Sequence, residues 1–172
     1  MNRRTLTRTA LLAAFAIATV GWTHAALGPP WVSIEYPPSP YDTTTRDAFL
    51  LVHAFHHGTP MDFPVSGTAE GIVKGERRSV KLDFAKTSRT GVYALRKKWQ
   101  SDGTWTLVIG VTQGAGEGNT VSAIVDLAAN GAVAQVRVPT SQRDGWAIPQ
   151  RVSMQEVEAA LRIRAGASVA GR

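Results

Sequence analysis

The sequence predicts an all-β protein, an immunoglobulin-like antiparallel β-sandwich of seven or eight strands with a short C-terminal helix. Three observations support this prediction. Apolar and polar residues alternate along several short runs, most clearly in "RSVKLDF" over residues 78–84. Turn residues such as Asn130-Gly131 separate these runs at short intervals. Helical periodicity occurs only near the C-terminus, so one domain of packed sheets is favoured.

The N-terminal stretch has the layout of a secretory signal peptide. "MNRRTLTR" is basic and carries no acid, and the apolar run "TALLAAFAIATVGW" is short for a membrane span. Small residues around His24 end the segment. We expect residues 1–25 to be cut off after Ala25, leaving an exported chain, periplasmic or secreted, without a stable membrane span. An uncleaved N-terminal anchor is the alternative.

The composition excludes several classes of function for this protein. Removing 25 of the 172 residues leaves 147, enough for one hydrophobic core. The formal charge of +6 includes three arginines of the signal peptide, so the mature chain has 16 Lys and Arg against 13 Asp and Glu, a net +3. These charges form no long basic stripe, which argues against nucleic-acid binding. The absence of cysteine excludes disulfides and thiolate metal sites.

Proline marks the first element after the signal peptide. Two Pro-Pro pairs flank a β-prone run over residues 31–36. Because proline cannot donate to a central strand pairing, we expect an edge strand and an extended connector over residues 26–47.

The predicted sandwich core covers residues 48–140. "AFLLVHAF" is apolar on both faces, as a strand buried on both sides would be. "RSVKLDF" should form one strand with Val80, Leu82 and Phe84 on one face. "TWTLVIGV" should direct alternate side chains inward from Trp105 onward. "VSAIVDL" and "VAQVRV" should form a hairpin around Asn130-Gly131, whose two residues both tolerate positive φ.

The C-terminal extension, residues 141–172, is predicted to contain one short helix. Ser153 and Glu156 form a capping box. Met154, Val157 and Leu161 then recur at helical spacing, which predicts that they share its apolar side. The tail "AGASVAGR" is expected to be frayed.

Two short motifs resemble those of known exported domains. Residues 91–93 read G-x-Y, and residues 103–107 read G-x-W-x-L. Residues 49–111 thereby resemble the small β-sandwiches called YtkA-like and FixH-like domains, and also macroglobulin-type extracellular domains. The resemblance implies an immunoglobulin-like fold, and it transfers no active site to this chain. Tyr93 also resembles a tyrosine corner, which implies a hydrogen bond from its hydroxyl to the upstream chain.

The segment "HAFHHGTPM" contains the candidate metal ligands His53, His56, His57 and Met61. On a strand, His53 and His57 would lie about 13 Å apart at a rise of about 3.3 Å per residue, too far to share one ion. His56 and His57 can meet an ion where the strand breaks, with Met61 returning over the turn and His53 in support. Imidazole with thioether suits copper. In the alternative interpretation, His53 is hydrogen-bonded at the core rim and the other histidines are polar residues at a strand end.

No catalytic motif is found in the sequence. It has no G-x-S-x-G or H-E-x-x-H, and "GAGEG" opens no helix that could bind phosphate. We therefore expect no enzymatic activity and no cofactor. The expected function is a non-catalytic binding module of the bacterial envelope that contacts an unidentified protein, for example by strand addition at a sheet edge. A periplasmic copper-binding protein is the alternative.

Overall fold

The computed structural model describes residues 28–115 and 119–170, with side chains described up to residue 164. The predicted signal peptide over residues 1–25 lies outside this part of the chain. Within it, twelve strands and one helix form an all-β, sandwich-like fold. In chain order the elements are β1 (Trp31–Glu35), β2 (Leu50–His56), β3 (Thr59–Pro60), β4 (Val65–Val73), β5 (Glu76–Lys81), β6 (Phe84–Lys86), β7 (Val92–Leu95), β8 (Thr104–Thr112), β9 (Thr120–Leu127), β10 (Val133–Arg137), β11 (Thr140–Arg143), β12 (Trp146–Pro149) and α1 (Met154–Ala170).

The strands form two five-stranded antiparallel sheets and a separate hairpin. Sheet A has the order β1-β2-β7-β6, with β3 paired to the end of β2, and sheet B has the order β10-β9-β8-β4-β5. The hairpin consists of β11 and β12. Seven or eight strands were expected, and the additional ones have only two to four residues (β3, β6, β11 and β12). Such segments are too short for periodicity to identify.

A single hydrophobic core fills the space between the sheets. As predicted, β8 buries alternate side chains, which are Trp105, Leu107, Ile109 and Val111. Leu50 and Val52 of β2 pack against them from sheet A, and Leu51 is also fully buried on the opposite face of β2. The expectation that β2 is covered on both faces is therefore confirmed. Each fully buried side chain of this size contributes about 2 kcal/mol relative to exposure.

The single strand predicted over residues 78–84 is two strands in different sheets. β5 ends at Lys81 in sheet B, and β6 begins at Phe84 in sheet A. Val80, Leu82 and Phe84 nevertheless all contact the same core, because that core lies between the sheets. The alternation continues across the crossing, and for this reason the pattern did not reveal the change of sheet.

The helix begins as predicted but is longer. The Glu156 N–H donates to the Ser153 hydroxyl at 3.3 Å, and the Ser153 N–H donates to the Glu156 carboxylate at 2.7 Å. This confirms the capping box. The helix has 17 residues and continues to Ala170, so residues 165–170 of the tail that was expected to be frayed are helical. Residues 171–172 lie outside the described part of the chain. Three alanines among the last six helical residues favour the longer helix.

The helix covers the outer face of sheet B. Its buried residues are Val157, Ala160 and Leu161, and Ile124 of β9 is fully buried on the sheet. Met154 was expected to share the apolar side, but its side chain is 63% exposed in the first turn. No helix in the described chain is long and apolar enough to cross a membrane.

The hairpin between β9 and β10 confirms the turn predicted at Asn130-Gly131, with one difference. Gly131 has φ +82°, but Asn130 is not in the left-handed region. The pairing register then shifts between Val133 and Gln135. A turn followed by a bulge thus replaces the expected tight turn with two positive φ angles.

Candidate functional site

The histidine segment forms a tight hairpin at one end of sheet A. β2 ends at His56 and β3 pairs with it, so that His57 and Gly58 form the two-residue turn. Both turn residues have positive φ, +48° and +78°, which is the geometry of a type I′ turn. The predicted break of the strand at Gly58 is confirmed. The turn directs the following chain back along the sheet for only the two residues of β3.

His53 lies apart from the other histidines and has its own partners. Its Nε2 lies 2.9 Å from a carboxylate oxygen of Glu35 on the neighbouring strand β1. Arg89 approaches the same oxygen at 3.7 Å, and the His53 ring stacks over Phe55 with 6.0 Å between ring centres. A hydrogen-bonded histidine at the core rim was one of the two interpretations of the sequence, and this geometry matches it.

His56 and His57 are brought together at the turn. Their ring centres are 4.2 Å apart in an edge-to-face arrangement, and His56 Nε2 lies 3.2 Å from the Gly28 carbonyl oxygen. Met61 follows the turn, and its side chain is partly exposed. Its backbone N–H donates to the Ala54 carbonyl at 2.9 Å. Within the described residues, no three His, Cys, Asp or Glu side chains converge on a point that could hold a metal ion. The copper site, which includes Met61, stays a prediction.

Asp62, next to Met61, holds a neighbouring loop. Its carboxylate accepts the Lys86 ammonium at 2.6 Å and the Gly91 N–H at 2.8 Å. The hydrogen bond from Lys86 lowers the pKa of Asp62, and the bond from Gly91 adds to this effect. Gly91 has φ +70°, and a Cβ there would lie 2.7 Å from the Ala54 carbonyl oxygen, so only glycine fits. Asp62 therefore serves as the acidic half of a structural ion pair with Lys86.

Tyr93 is buried in the core, but it does not form the expected corner. In the part of the chain that the structure describes, its hydroxyl makes no hydrogen bond to the upstream backbone. Burial raises the pKa of this hydroxyl, and the charge of Asp62 raises it further while Lys86 opposes the shift. The hydroxyl is therefore placed near this ion pair, and the expectation based on the tyrosine corner was wrong.

Two buried carboxylates lie in the row of side chains on the outer face of sheet B. Glu70 on β4 accepts hydrogen bonds from Arg77 at 2.7 Å and from Ser79 at 2.8 Å, both on β5. Asp126 on β9 accepts from Thr106 at 2.9 Å. Arg137 also donates to Asp126 at 3.1 Å.

Glu70 is held in its charged form. Burial raises its pKa, but hydrogen bonds from Thr68, Ser79 and Arg77 together outweigh that effect, and the pKa lies below its usual value. Arg77 also pairs with Glu158 of α1 at 3.0 Å. This network fixes β5 to both the sheet and the helix.

β5 is an open edge of sheet B. It pairs with β4 on one side and is the last strand in the sheet order. Val73 pairs with Glu76 across a two-residue turn, and the Leu82 N–H donates to the Gly67 carbonyl at 3.0 Å. Even-numbered residues of β5 therefore direct their backbone groups to β4. The backbone N–H and C=O groups of the odd-numbered residues point to the free side of the sheet. These residues are Arg77, Ser79 and Lys81.

Side-chain exposure agrees with this open edge. Every residue of β5 is exposed except Val80, which is half-buried. Within the described residues, no hydrogen bond reaches the outward N–H and C=O groups of Arg77, Ser79 or Lys81. Three residues thus present six unpaired backbone groups to one side, a template on which another strand can pair.

A groove runs beside the inner face of β5. It has a volume of about 980 Å³ and lies between β5 and the loop that joins β7 to β8. Trp99 and Trp105 line its base, although both side chains are almost completely buried. Lys74 and Lys98 lie on the opposite walls of the groove.

The comparisons with known proteins give no relative. No protein-family model, no curated protein and no solved structure matches the chain.

The open edge on β5 was not predicted from the sequence, because residues 78–84 were expected to form one strand. A useful signal was present in "GERRSVK", where a two-residue turn precedes a β-prone run without proline. A run with charged residues at most positions and one half-buried valine is typical of an edge strand.

Proposed function

We propose that the protein is an exported, non-catalytic binding module of the bacterial envelope, and that it holds an unidentified envelope protein by strand addition on β5. The observation that carries this proposal is the row of unpaired backbone groups on Arg77, Ser79 and Lys81. Export rests on the predicted signal peptide over residues 1–25. An extended partner segment that pairs with β5 gains backbone hydrogen bonds, and its alternate side chains enter the adjacent groove.

The rigidity of β5 supports this proposal. The side chains of Arg77 and Ser79 are tied to Glu70, so the edge is held in an extended form before a partner arrives. Binding then costs less conformational entropy, because β5 is already ordered and only the partner segment must become ordered. The three outward-facing residues each offer one N–H and one C=O, so they can form up to six backbone hydrogen bonds with an added strand. Each bond contributes about 1 kcal/mol net.

A proline substitution on β5 tests the pairing. Ser79→Pro removes an outward N–H that β4 does not use, so the ladder within sheet B is preserved. Ser79→Ala is the matched control, because both variants lose the hydroxyl bond to Glu70.

A photo-crosslinking residue at position 81 captures the partner in living cells. The same residue at position 41, where Tyr41 is 93% exposed, reports non-specific contacts.

We expect one discrete crosslinked product from position 81 and none from position 41. The product should persist with Ser79→Ala and fall at least about tenfold with Ser79→Pro. One lost bond of about 1 kcal/mol and a partner carbonyl left unpaired together exceed the roughly 1.4 kcal/mol that weakens binding tenfold. Thermal melting confirms that both variants fold. A product that is equal in the two variants, or absent at position 81, would overturn strand addition on β5.

Copper binding at the hairpin is the second candidate function. The observation that favours it is the 4.2 Å separation of the His56 and His57 rings beside the half-exposed Met61. Neutral imidazoles and a thioether suit Cu(I). The purified protein should bind one Cu(I) tightly, and a variant with alanine at all three positions should lose that binding. The His53→Ala variant should bind Cu(I) more weakly if His53 supports the site, and as tightly as the natural protein if it does not. Calorimetry that detects only weak binding, equal in all variants, would contradict this candidate.

A further inference from the structure

Positive charge is concentrated on β5 with its turn and on the loop that lies across the groove from β5. Residues 74–83 and 96–102 carry seven Lys and Arg against three Asp and Glu. From residue 28 to residue 170 the whole chain has 15 against 13, so the remainder has eight against ten and is net negative. The open edge is therefore the basic side of an otherwise slightly acidic domain.

Arg77 is held by Glu70 and Glu158 and is not available to a ligand. Among the other cations, some are paired and some are not. Arg78 pairs with Glu76, and Lys98 pairs with Asp83. Both pairs are well exposed, so water screens them and a ligand carboxylate can compete for each cation. Lys74 and Lys81 have no ion-pair partner among the described residues. Positive charge thus remains available on both faces of an added strand.

We infer that the segment paired on β5 is an extended acidic stretch of a protein, with an aliphatic or aromatic side chain that enters the groove near Val80. This inference rests on the proposed function and names the chemistry of its partner. Carboxylates on the groove side face Lys74 and Lys98, and those on the helix side face Lys81. Between them, an apolar side chain covers the half-buried Val80 above the tryptophan base.

A second copy of this chain fits the open edge poorly. Only the antiparallel register centred on Ser79 would pair all three open residues of both copies, and it would place Arg77 opposite Lys81 twice. Like charges directly opposite each other destabilise a strand pair. The charges on β5 therefore oppose self-association and select an acidic strand.

Labelled peptides test the chemistry of the partner. One peptide is a run of Glu with a single Val at its centre, so that carboxylates lie on both faces of the added strand and one apolar side chain lies between those on one face. Matched peptides carry Gln or Lys in place of Glu. Fluorescence anisotropy with the purified protein should show binding of the Glu peptide at least about tenfold tighter than that of the Gln peptide, and none of the Lys peptide. Raising salt from about 0.05 M to about 0.5 M should weaken the Glu peptide several-fold, because exposed charges are screened.

Variants separate charge from strand pairing. Ser79→Pro should weaken the Glu peptide at least about tenfold relative to Ser79→Ala. Lys74→Gln combined with Lys98→Gln should weaken it several-fold. Arg46→Gln combined with Arg143→Gln removes the same charge from elsewhere on the domain, and it should have no effect.

Three outcomes would overturn the inference. Equal binding of the Glu and Gln peptides, still lost in Ser79→Pro, would keep strand addition and reject an acidic partner. Binding of polyglutamate or an anionic polysaccharide that is indifferent to Ser79→Pro would show attraction by charge alone. No binding of the Glu peptide, while crosslinking at position 81 succeeds in cells, would reject the acidic chemistry but not the proposed function.

Discussion

Two hairpins of this molecule begin with the same turn and end differently. His57-Gly58 and Lys74-Gly75 are both two-residue turns in which the first residue has φ near +50° and the second is a glycine with φ near +80°. After the histidine turn the returning strand has two residues, whereas after the lysine turn it has six. Turn geometry sets the start of a hairpin, but the residues that follow decide whether an open edge results.

Competition for β2, together with proline and anchoring, explains the difference. β3 ends because β7 pairs with the same side of β2 at residues 50–53, and Ala54 bonds to both Gly91 and Met61 where the two segments meet. Pro60 has no N–H to offer to a further strand. β5 contains no proline, and its side chains reach Glu70 on the neighbouring strand and Glu158 on the helix. One hairpin is closed to strand pairing and presents side chains, the histidines. The other is held extended and presents its backbone.

The largest expected effect comes from removing the anchor of β5. Glu70→Ala should lower the free energy of unfolding by about 2 kcal/mol, because Arg77 and Ser79 lose a buried charged acceptor. Urea denaturation measures this change. Glu158→Ala removes only the exposed partner of Arg77 and should cost about 0.3 kcal/mol. Equal losses in the two variants would show that the buried bond does not hold the edge.

More of the fold than of the open edge on β5 could be predicted from the sequence. Alternation along β8 and the capping box at Ser153 both gave correct elements, because each signal lies within one segment. The change of sheet after Lys81 left no local signal, since Val80 and Phe84 face the same core. The role of Glu70 was also not predictable, because its partners become neighbours only after β4 and β5 pair.

The turn glycines provide an intermediate effect. Gly58→Ala and Gly75→Ala should each destabilise the fold by about 1 kcal/mol, since both positions have positive φ and open space around the missing Cβ. Only Gly75→Ala should also weaken partner binding, because it disturbs the start of β5. Thermal melting and the peptide assay together measure both effects. Equal loss of binding in the two variants would contradict the contrast between the hairpins.

The smallest effect is a dependence of stability on pH. The folded pKa of Glu70 lies below its ordinary value of 4.5, so below about pH 4.5 the unfolded chain binds more protons than the folded one. Stability from Glu70 is therefore fully present above that pH and is lost as the pH falls through the folded pKa. Urea midpoints between about pH 5 and pH 2 should fall less steeply in Glu70→Gln than in the natural protein. Identical slopes would show that Glu70 is not held charged by β5.

Amide hydrogen exchange along β5 tests the central claim most directly. In the free protein, NMR should show slow exchange at Glu76, Arg78 and Val80, whose N–H groups face β4. The N–H groups of Arg77, Ser79 and Lys81 should exchange fast and become protected when the acidic peptide binds. Protection of these three amides before any partner is added, or no change on binding, would contradict an open edge that accepts a strand.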